Sequence, residues 1–79
     1  MDIKILGTGC TKCKNLEKIT REVVEQNGID ATITKVDNIM DIMKYNVMAT
    51  PALVVNEKVE INGRVPSADE IKKVLSQYE

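Results

Sequence analysis

Strand and helix patterns alternate along this chain of 79 residues, and that alternation limits the possible folds more than any other feature. Short apolar or β-branched runs predict strands over residues 3–6, 31–36, 52–55 and 59–61. Apolar residues at helical spacing predict helices over 11–27 and 37–46, and from residue 67 onward. The resulting order, β-α-β-α-β-β-α, predicts an α/β fold in which helices cover both faces of a four-stranded mixed sheet.

Cap residues separate the predicted helices from the strands. Gly28 is placed to end the first helix, Asp37 to begin the second and Asn46 to end it. Ser67 followed by Glu70 predicts a capping box at the start of the last helix. The apolar residues of the second helix are expected to face the core: Ile39, Ile42 and Met43.

The size and composition describe one ordinary globular domain. A chain this short buries a single hydrophobic core, so residues 1–79 are expected to form one domain. The net charge of −1, with Tyr45 and Tyr78 as the only aromatic residues, argues against nucleic-acid binding. No apolar run approaches the ~20 residues of a membrane span, and the first residues lead directly into a strand pattern. We therefore expect a cytoplasmic protein that binds no membrane.

The candidate reactive groups of this chain are cysteine thiols, because it contains two cysteines and no histidine. The lack of histidine excludes a Ser-His-Asp triad, a Cys-His dyad and a histidine-ligated metal site. Cys10 and Cys13 lie where a strand pattern meets a helix pattern, and backbone N–H groups with the helix dipole favour a thiolate there. Lys12, Lys14 and Lys18 add positive charge, so we expect a cysteine pKa below the ordinary value of about 8.5.

The spacing of the two cysteines leaves several interpretations open. Residues three apart on a helix are close enough for a disulfide, with Cys10 at the helix mouth and Cys13 on the stripe facing the core. Random placement gives this spacing in about 1 case in 40, and a structural disulfide is disfavoured in a reducing compartment. A half-site for zinc or copper(I) also suits two thiolates. Reversible redox exchange is the interpretation that we favour.

Four features together make the chain resemble the thioredoxin superfamily in its minimal glutaredoxin-like form, the small redox-active disulfide proteins of archaea and bacteria. They are the Cys10-Thr11-Lys12-Cys13 motif after the first strand, Thr50-Pro51 before the third, Gly63 after the fourth, and the order of the elements. The resemblance covers essentially the whole chain.

The resemblance implies a role for each residue of the site. Cys10 is expected to be the attacking thiolate and Cys13 the resolving thiol, so that their disulfide is the redox group and no cofactor or metal is bound. Pro51 is expected to follow a cis peptide bond and to pack against that disulfide. The residues expected to contact substrates or partners are Thr11, Lys12, Thr50, Pro51 and Gly63.

The chain also departs from the family pattern. No tryptophan precedes Cys10 and no Gly-Pro pair separates the cysteines, so the reduction potential of an ordinary thioredoxin does not transfer. Residues 63–67 lack the glycine pair and acidic cap with which glutaredoxins bind glutathione, although Asp69 is nearby. Lys4 stands where thioredoxins carry a buried acid. We expect Lys4 to reach solvent, and the alternative is that it approaches Cys13 and supports its thiolate.

Two further features need a structure to interpret them. Residues 56–58 form a hairpin-length gap in which Glu57 takes a place where glycine is favoured. Three methionines near the second helix and Pro51 are expected to fill the core, with an apolar surface that accepts partners as the alternative. These are Met40, Met43 and Met48.

The sequence thus predicts an enzyme, a protein-disulfide oxidoreductase that also serves as an electron carrier. We expect a monomer that reduces disulfide-containing proteins and is itself reduced by a flavoenzyme of the thioredoxin-reductase type. One alternative is a Cys-x-x-Cys metallochaperone for copper(I) or zinc, although that class usually has the order β-α-β-β-α-β and ends in a strand. The other is a redox-sensing module without turnover.

Overall fold

The predicted order of elements is present in the computed structural model, which describes residues 1–9, 11–47 and 49–78. The strands are β1 (Asp2–Leu6), β2 (Thr32–Val36), β3 (Ala52–Val55) and β4 (Lys58–Asn62). The helices are α1 (Thr11–Gln26), α2 (Ile39–Met43) and α3 (Ala68–Ser76). The predicted α/β class and the order β-α-β-α-β-β-α are confirmed.

The strands form one mixed sheet in the order β2-β1-β3-β4. β1 pairs with β2 in parallel and with β3 in antiparallel, and β3 pairs with β4 in antiparallel. Every residue of β3 is buried, because helices cover the sheet on both faces. The predicted four-stranded mixed sheet with helices on both faces is therefore confirmed.

The core has two layers, one on each face of the sheet, because successive side chains of β1 point to opposite faces. Ile3 and Ile5 lie in the larger layer, which α1 and α3 close with Leu16 and Leu75. Leu6 points to the other face, where it packs with residues of α2 and β3. The members of this smaller layer are Leu6, Ile42, Ala52 and Val54.

Gly28 ends α1 as predicted. Its φ of 61° is left-handed, and the N–H of Ile29 donates to the carbonyl of Val24 at 3.0 Å. A residue without Cβ adopts this conformation at little cost, so glycine suits the position.

The short helix α2 corrects two predictions. Its N-cap is Asn38, whose side chain accepts a hydrogen bond from the N–H of Met40 at 2.8 Å, and not Asp37. Of the three residues expected to face inward, only Ile42 is buried, whereas Ile39 and Met43 are 62% and 64% exposed. A helix of five residues presents little more than one position to the sheet, so the prediction for Ile39 and Met43 is wrong.

The methionines of α2 do not fill the core. Met40 is 71% exposed and Met43 lies beside it on the surface, so the core-filling prediction is wrong for both. Tyr45 and Val47, which follow the helix, pack against the smaller core layer instead. Met48 lies outside the described residues. The helix ends earlier than predicted, because its C-cap is Lys44, and Asn46 lies in the following turn with a φ of 58°.

The start of α3 forms half of the predicted capping box. The Ser67 hydroxyl accepts a hydrogen bond from the N–H of Glu70 at 3.2 Å. The Glu70 carboxylate accepts two hydrogen bonds from the guanidinium of Arg64. The reciprocal contact of a capping box is thus replaced by an ion pair.

Glu57 occupies a left-handed turn position, and its carboxylate has partners from other parts of the chain. Asn56 and Glu57 form the turn, with φ values of 49° and 69°, and Lys58 already belongs to β4. The Glu57 carboxylate accepts hydrogen bonds from the Lys4 ammonium and from the Tyr45 hydroxyl, the latter at 3.1 Å. Glycine would ease the backbone here but would lose both contacts.

Lys4 does not approach Cys13; it reaches the surface, where its ammonium is held by the exposed carboxylate of Glu57. Its ammonium also donates to the Tyr45 hydroxyl at 2.9 Å, and its side chain is only 23% exposed. It points to the α2 face of the sheet, since Ile3 and Ile5 on either side of it point to the α1 face. Lys4 is therefore held by an ion pair, on the face opposite to the helix that carries Cys13.

This ion pair predicts a stability loss in acid. The hydrogen bond from Lys4, and then that from Tyr45, lowers the pKa of Glu57. A lowered pKa in the folded state stabilises the protein above the ordinary glutamate pKa, and this contribution disappears as the pH falls through the folded value. We expect Glu57→Gln to be less stable than the parent at pH 7 and to approach it near pH 3.

Urea unfolding at a series of pH values measures this difference. As a matched control, the same comparison is made in a Lys4→Met background. The stability difference between Lys4→Met and Lys4→Met/Glu57→Gln should depend less on pH, because the main partner of Glu57 is absent. A difference between parent and Glu57→Gln that stays constant from pH 7 to pH 3 would contradict the role of this contact.

Candidate functional site

The register of the sheet collects the predicted site at one edge. The last residue of β1, the first of β3 and the last of β4 are register partners. The chain therefore leaves β1 through Gly7, enters β3 from Pro51 and leaves β4 through Gly63, all at this edge. The N–H of Gly63 donates to the carbonyl of Pro51 at 2.9 Å and joins two of these segments directly.

Thr50 and Gly63 form an accessible part of this edge beside a buried Pro51. The Thr50–Pro51 peptide bond is cis, as predicted, and Pro51 is buried while Thr50 and Gly63 are exposed. Gly63 has a φ of +79°, and a Cβ there would lie 3.2 Å from the Cβ of Ala49. Backbone conformation and space both favour glycine at this position. Their role in docking a substrate stays a prediction.

Cys13 lies in the first turn of α1 with its side chain 1% exposed. The prediction that it belongs to the stripe facing the core is confirmed. Cys10 lies outside the described residues, so its attack on substrates and its pairing with Cys13 stay predictions. On either side of it, Gly9 has a φ of +92°, and Thr11 and Lys12 are exposed at the start of α1.

The first turn of α1 is positively charged, as the sequence indicates. It contains no acidic residue, and the Lys12 and Lys14 side chains are exposed. The nearest carboxylate along the helix is that of Glu17, which pairs with Arg21 at 3.0 Å and with Lys35 at 4.0 Å. The lysine charges together with the helix dipole favour an anion at this end of the helix.

The positive charge next to Gly63 is already compensated. Arg64 donates to both oxygens of the Glu70 carboxylate, and these hydrogen bonds lower the pKa of Glu70. The Arg64 guanidinium is therefore engaged within the protein, at the segment that lacks the glutathione-binding pattern.

Sequence reasoning missed the part that Gly7 plays in this site. In the sequence, Gly7 is simply the residue that closes the first strand pattern. In the structure it is buried, and a Cβ built on it would lie 2.2 Å from the Sγ of Cys13. A glycine directly after a strand and six residues before a buried cysteine was a signal, but its meaning depends on how the loop folds back on the helix.

Comparison with known proteins decides the family. The sequence profile of the family described as "Thioredoxin domain" matches residues 1–76. The chain belongs to this thioredoxin family. A protein named "Thioredoxin" from Methanothermobacter thermautotrophicus is 46% identical over 76 residues, which cover 96% of this chain and 99% of the relative.

Two further archaeal relatives agree with this assignment. A protein named "Thioredoxin" from Methanocaldococcus jannaschii is 38% identical over 76 residues, covering 96% of this chain and 87% of the relative. A "Probable Thioredoxin" from Archaeoglobus fulgidus is 28% identical over 69 residues, covering 84% and 75%.

Membership of the thioredoxin family confirms the predicted resemblance to small thioredoxin-superfamily redox proteins. It also supports the coarser functional prediction, a thiol-disulfide oxidoreductase role. None of the helices in the described part of the chain is long and apolar enough to cross a membrane.

Proposed function

We propose that this protein is a thiol-disulfide oxidoreductase that passes electrons to protein disulfides through a reversible disulfide between Cys10 and Cys13. The observation that carries the proposal is the sheet register, which brings the Cys13-bearing end of α1 to the same edge as Pro51 and Gly63. The thioredoxin family membership gives this edge its chemical interpretation.

The reaction proceeds in two exchange steps. The Cys10 thiolate attacks one sulfur of a substrate disulfide, a mixed disulfide forms, and the other substrate sulfur leaves as a thiolate and takes up a proton. The Cys13 thiolate then attacks the Cys10 sulfur, the bond to the substrate breaks, and the second substrate sulfur leaves in the same way. In total, two electrons pass from the two cysteines to the substrate, which becomes a dithiol.

The surroundings of the site favour protein partners. Thr11, Lys12, Thr50 and Gly63 are exposed, so a partner chain can contact them around the cysteines. Residues 63–67 lack the glutathione pattern, and Arg64 is engaged by Glu70. We therefore propose a flavoenzyme of the thioredoxin-reductase type as electron donor.

The protein acts in the cytoplasm as a single-domain monomer whose only redox group is its disulfide.

The metallochaperone alternative is weaker. The chain has the order β-α-β-α-β-β-α with α3 as its last described element, whereas that class usually ends in a strand. The Thr50-Pro51 pair also has no role in that class of protein. A sensor without turnover shares the same residues, so kinetics must separate it from a catalyst.

A coupled assay tests the proposal and its donor together. NADPH oxidation would be followed with the purified protein, a disulfide acceptor, and either a low-molecular-weight thioredoxin reductase or glutathione with its reductase. We expect turnover with thioredoxin reductase that depends on the protein concentration. Turnover only with glutathione would contradict the proposed donor, and reduction of the protein without transfer to any acceptor would indicate a sensor. Stoichiometric copper(I) or zinc retained against a chelator would support the metallochaperone instead.

A further inference from the structure

Gly7 provides the space that the Cys13 sulfur occupies. A Cβ at position 7 would lie 2.2 Å from the Sγ and 2.8 Å from the Cβ of Cys13, both far inside van der Waals contact. Gly7 is buried, and its backbone is not in the left-handed region that favours glycine elsewhere in the chain. Space, and not backbone conformation, is therefore what requires glycine here.

The position of Gly7 is itself well defined. Its N–H donates to the carbonyl of Val36 at 2.9 Å, which extends the pairing of β1 with β2 by one bond. On its other side, β1 pairs with β3 up to Leu6 and Ala52. A side chain added at position 7 could not be relieved by a small movement of this central strand end, so Cys13 would have to move.

We propose that Gly7 is a positioning residue for the resolving thiol, and that its bare Cα holds the Cys13 sulfur where it attacks the mixed disulfide. This inference rests on the proposed function. It assigns to Gly7 the second exchange step alone. In that step the Cys13 thiolate forms a bond to the Cys10 sulfur, the bond from Cys10 to the substrate sulfur breaks, and the substrate leaves as a thiolate that takes up a proton.

A methyl group at position 7 should slow only this second step. The side chain of Cys13 must leave its present rotamer or α1 must shift outward, and either change misplaces the attacking sulfur. A displacement of about 1 Å from the reactive geometry slows an intramolecular reaction about ten- to a hundredfold. The first step uses Cys10 and an external disulfide, so it does not need the space above Gly7.

The reagent 5,5′-dithiobis(2-nitrobenzoate) separates the two steps. Attack on the reagent releases one coloured thiolate at a rate proportional to reagent concentration, and resolution releases the second at a rate independent of it. In stopped flow, Gly7→Ala should keep the first rate within about twofold and slow the second about tenfold or more. The equilibrium constant for forming the protein disulfide from oxidised dithiothreitol should fall by a similar factor.

Gly28→Ala is the matched control. Gly28 has a φ of +61° and open space around a Cβ, so alanine there costs stability without touching Cys13. Both rates should stay unchanged in this variant. An unchanged second rate in Gly7→Ala, or an equal slowing in Gly28→Ala, would overturn the inference. If the parent protein shows no second thiolate release at a rate independent of reagent concentration, the proposed function is refuted instead.

Stability provides a second test that does not require Gly7→Ala to be well folded. Truncating Cys13 to alanine removes the Sγ, which is the closest atom to the added methyl group. Under reducing conditions, Gly7→Ala should therefore cost less stability in a Cys13→Ala background than in the parent, because the Sγ conflict is gone and only the Cβ of residue 13 remains close. An equal loss in both backgrounds would show that the methyl group does not conflict with the Cys13 sulfur, and would overturn the inference.

Discussion

Cys13→Ser should turn the protein from a catalyst into a trap for its substrates. The Cys10 thiolate can still attack a disulfide, but serine cannot form the second bond that releases the substrate. Turnover of a protein disulfide should fall about a hundredfold or more, because an intramolecular step is replaced by a slow external thiol. Mass spectrometry under non-reducing conditions should detect a one-to-one mixed disulfide.

Cys10→Ser is the matched control for this trap. It should abolish turnover without accumulating any covalent complex, since the 1% exposed Cys13 cannot reach a bulky partner. Iodoacetamide near neutral pH should likewise modify Cys10 of the parent well before Cys13. Trapping by Cys10→Ser instead of Cys13→Ser would mean that the roles of nucleophile and resolver are reversed.

Leu53→Ala should cause a large loss of stability at a position outside the site. Leu53 is fully buried on β3 and belongs to the larger core layer under α1 and α3. Truncating a buried leucine leaves a cavity and costs about 2–5 kcal/mol. That is a large part of the roughly 5–15 kcal/mol that stabilises a small domain. Urea unfolding under reducing conditions measures the change.

Met40→Ala is the control for this measurement. Met40 is also a long apolar side chain in a regular element, but it is 71% exposed. Its truncation should change the free energy of unfolding by no more than about 0.5 kcal/mol. Equal losses for Leu53→Ala and Met40→Ala would mean that Met40 is buried in solution, by this chain or by a second copy.

The features that sequence predicted well are those set by local pattern. The helical stripe of α1, its left-handed end at Gly28 and the buried run of β3 each follow from residues within a few positions of one another. Predicting the site edge also required the strand register. The resemblance named the residues of the site, but the register that brings them together is known only from the structure.

The features that sequence did not predict depend on distant contacts. The turn sequence alone does not account for Glu57, because its partner Lys4 is 53 positions away along the chain. The exposure of Met43 depends on how few residues of α2 meet the sheet, which periodicity alone does not reveal. The fit of Cys13 against Gly7 depends on the tertiary packing of the β1 end against α1, which the six-residue spacing alone does not reveal.

An electron count in a single turnover tests the central claim most directly. The fully reduced protein would be mixed with one equivalent of a protein disulfide, quenched by alkylation, and mapped by mass spectrometry. The account predicts that each chain loses two alkylatable thiols to a Cys10–Cys13 disulfide while the substrate gains two, because one disulfide exchange transfers two electrons. Substrate that gains no thiols, or oxidised protein whose Cys10 and Cys13 are not joined to each other, would contradict it.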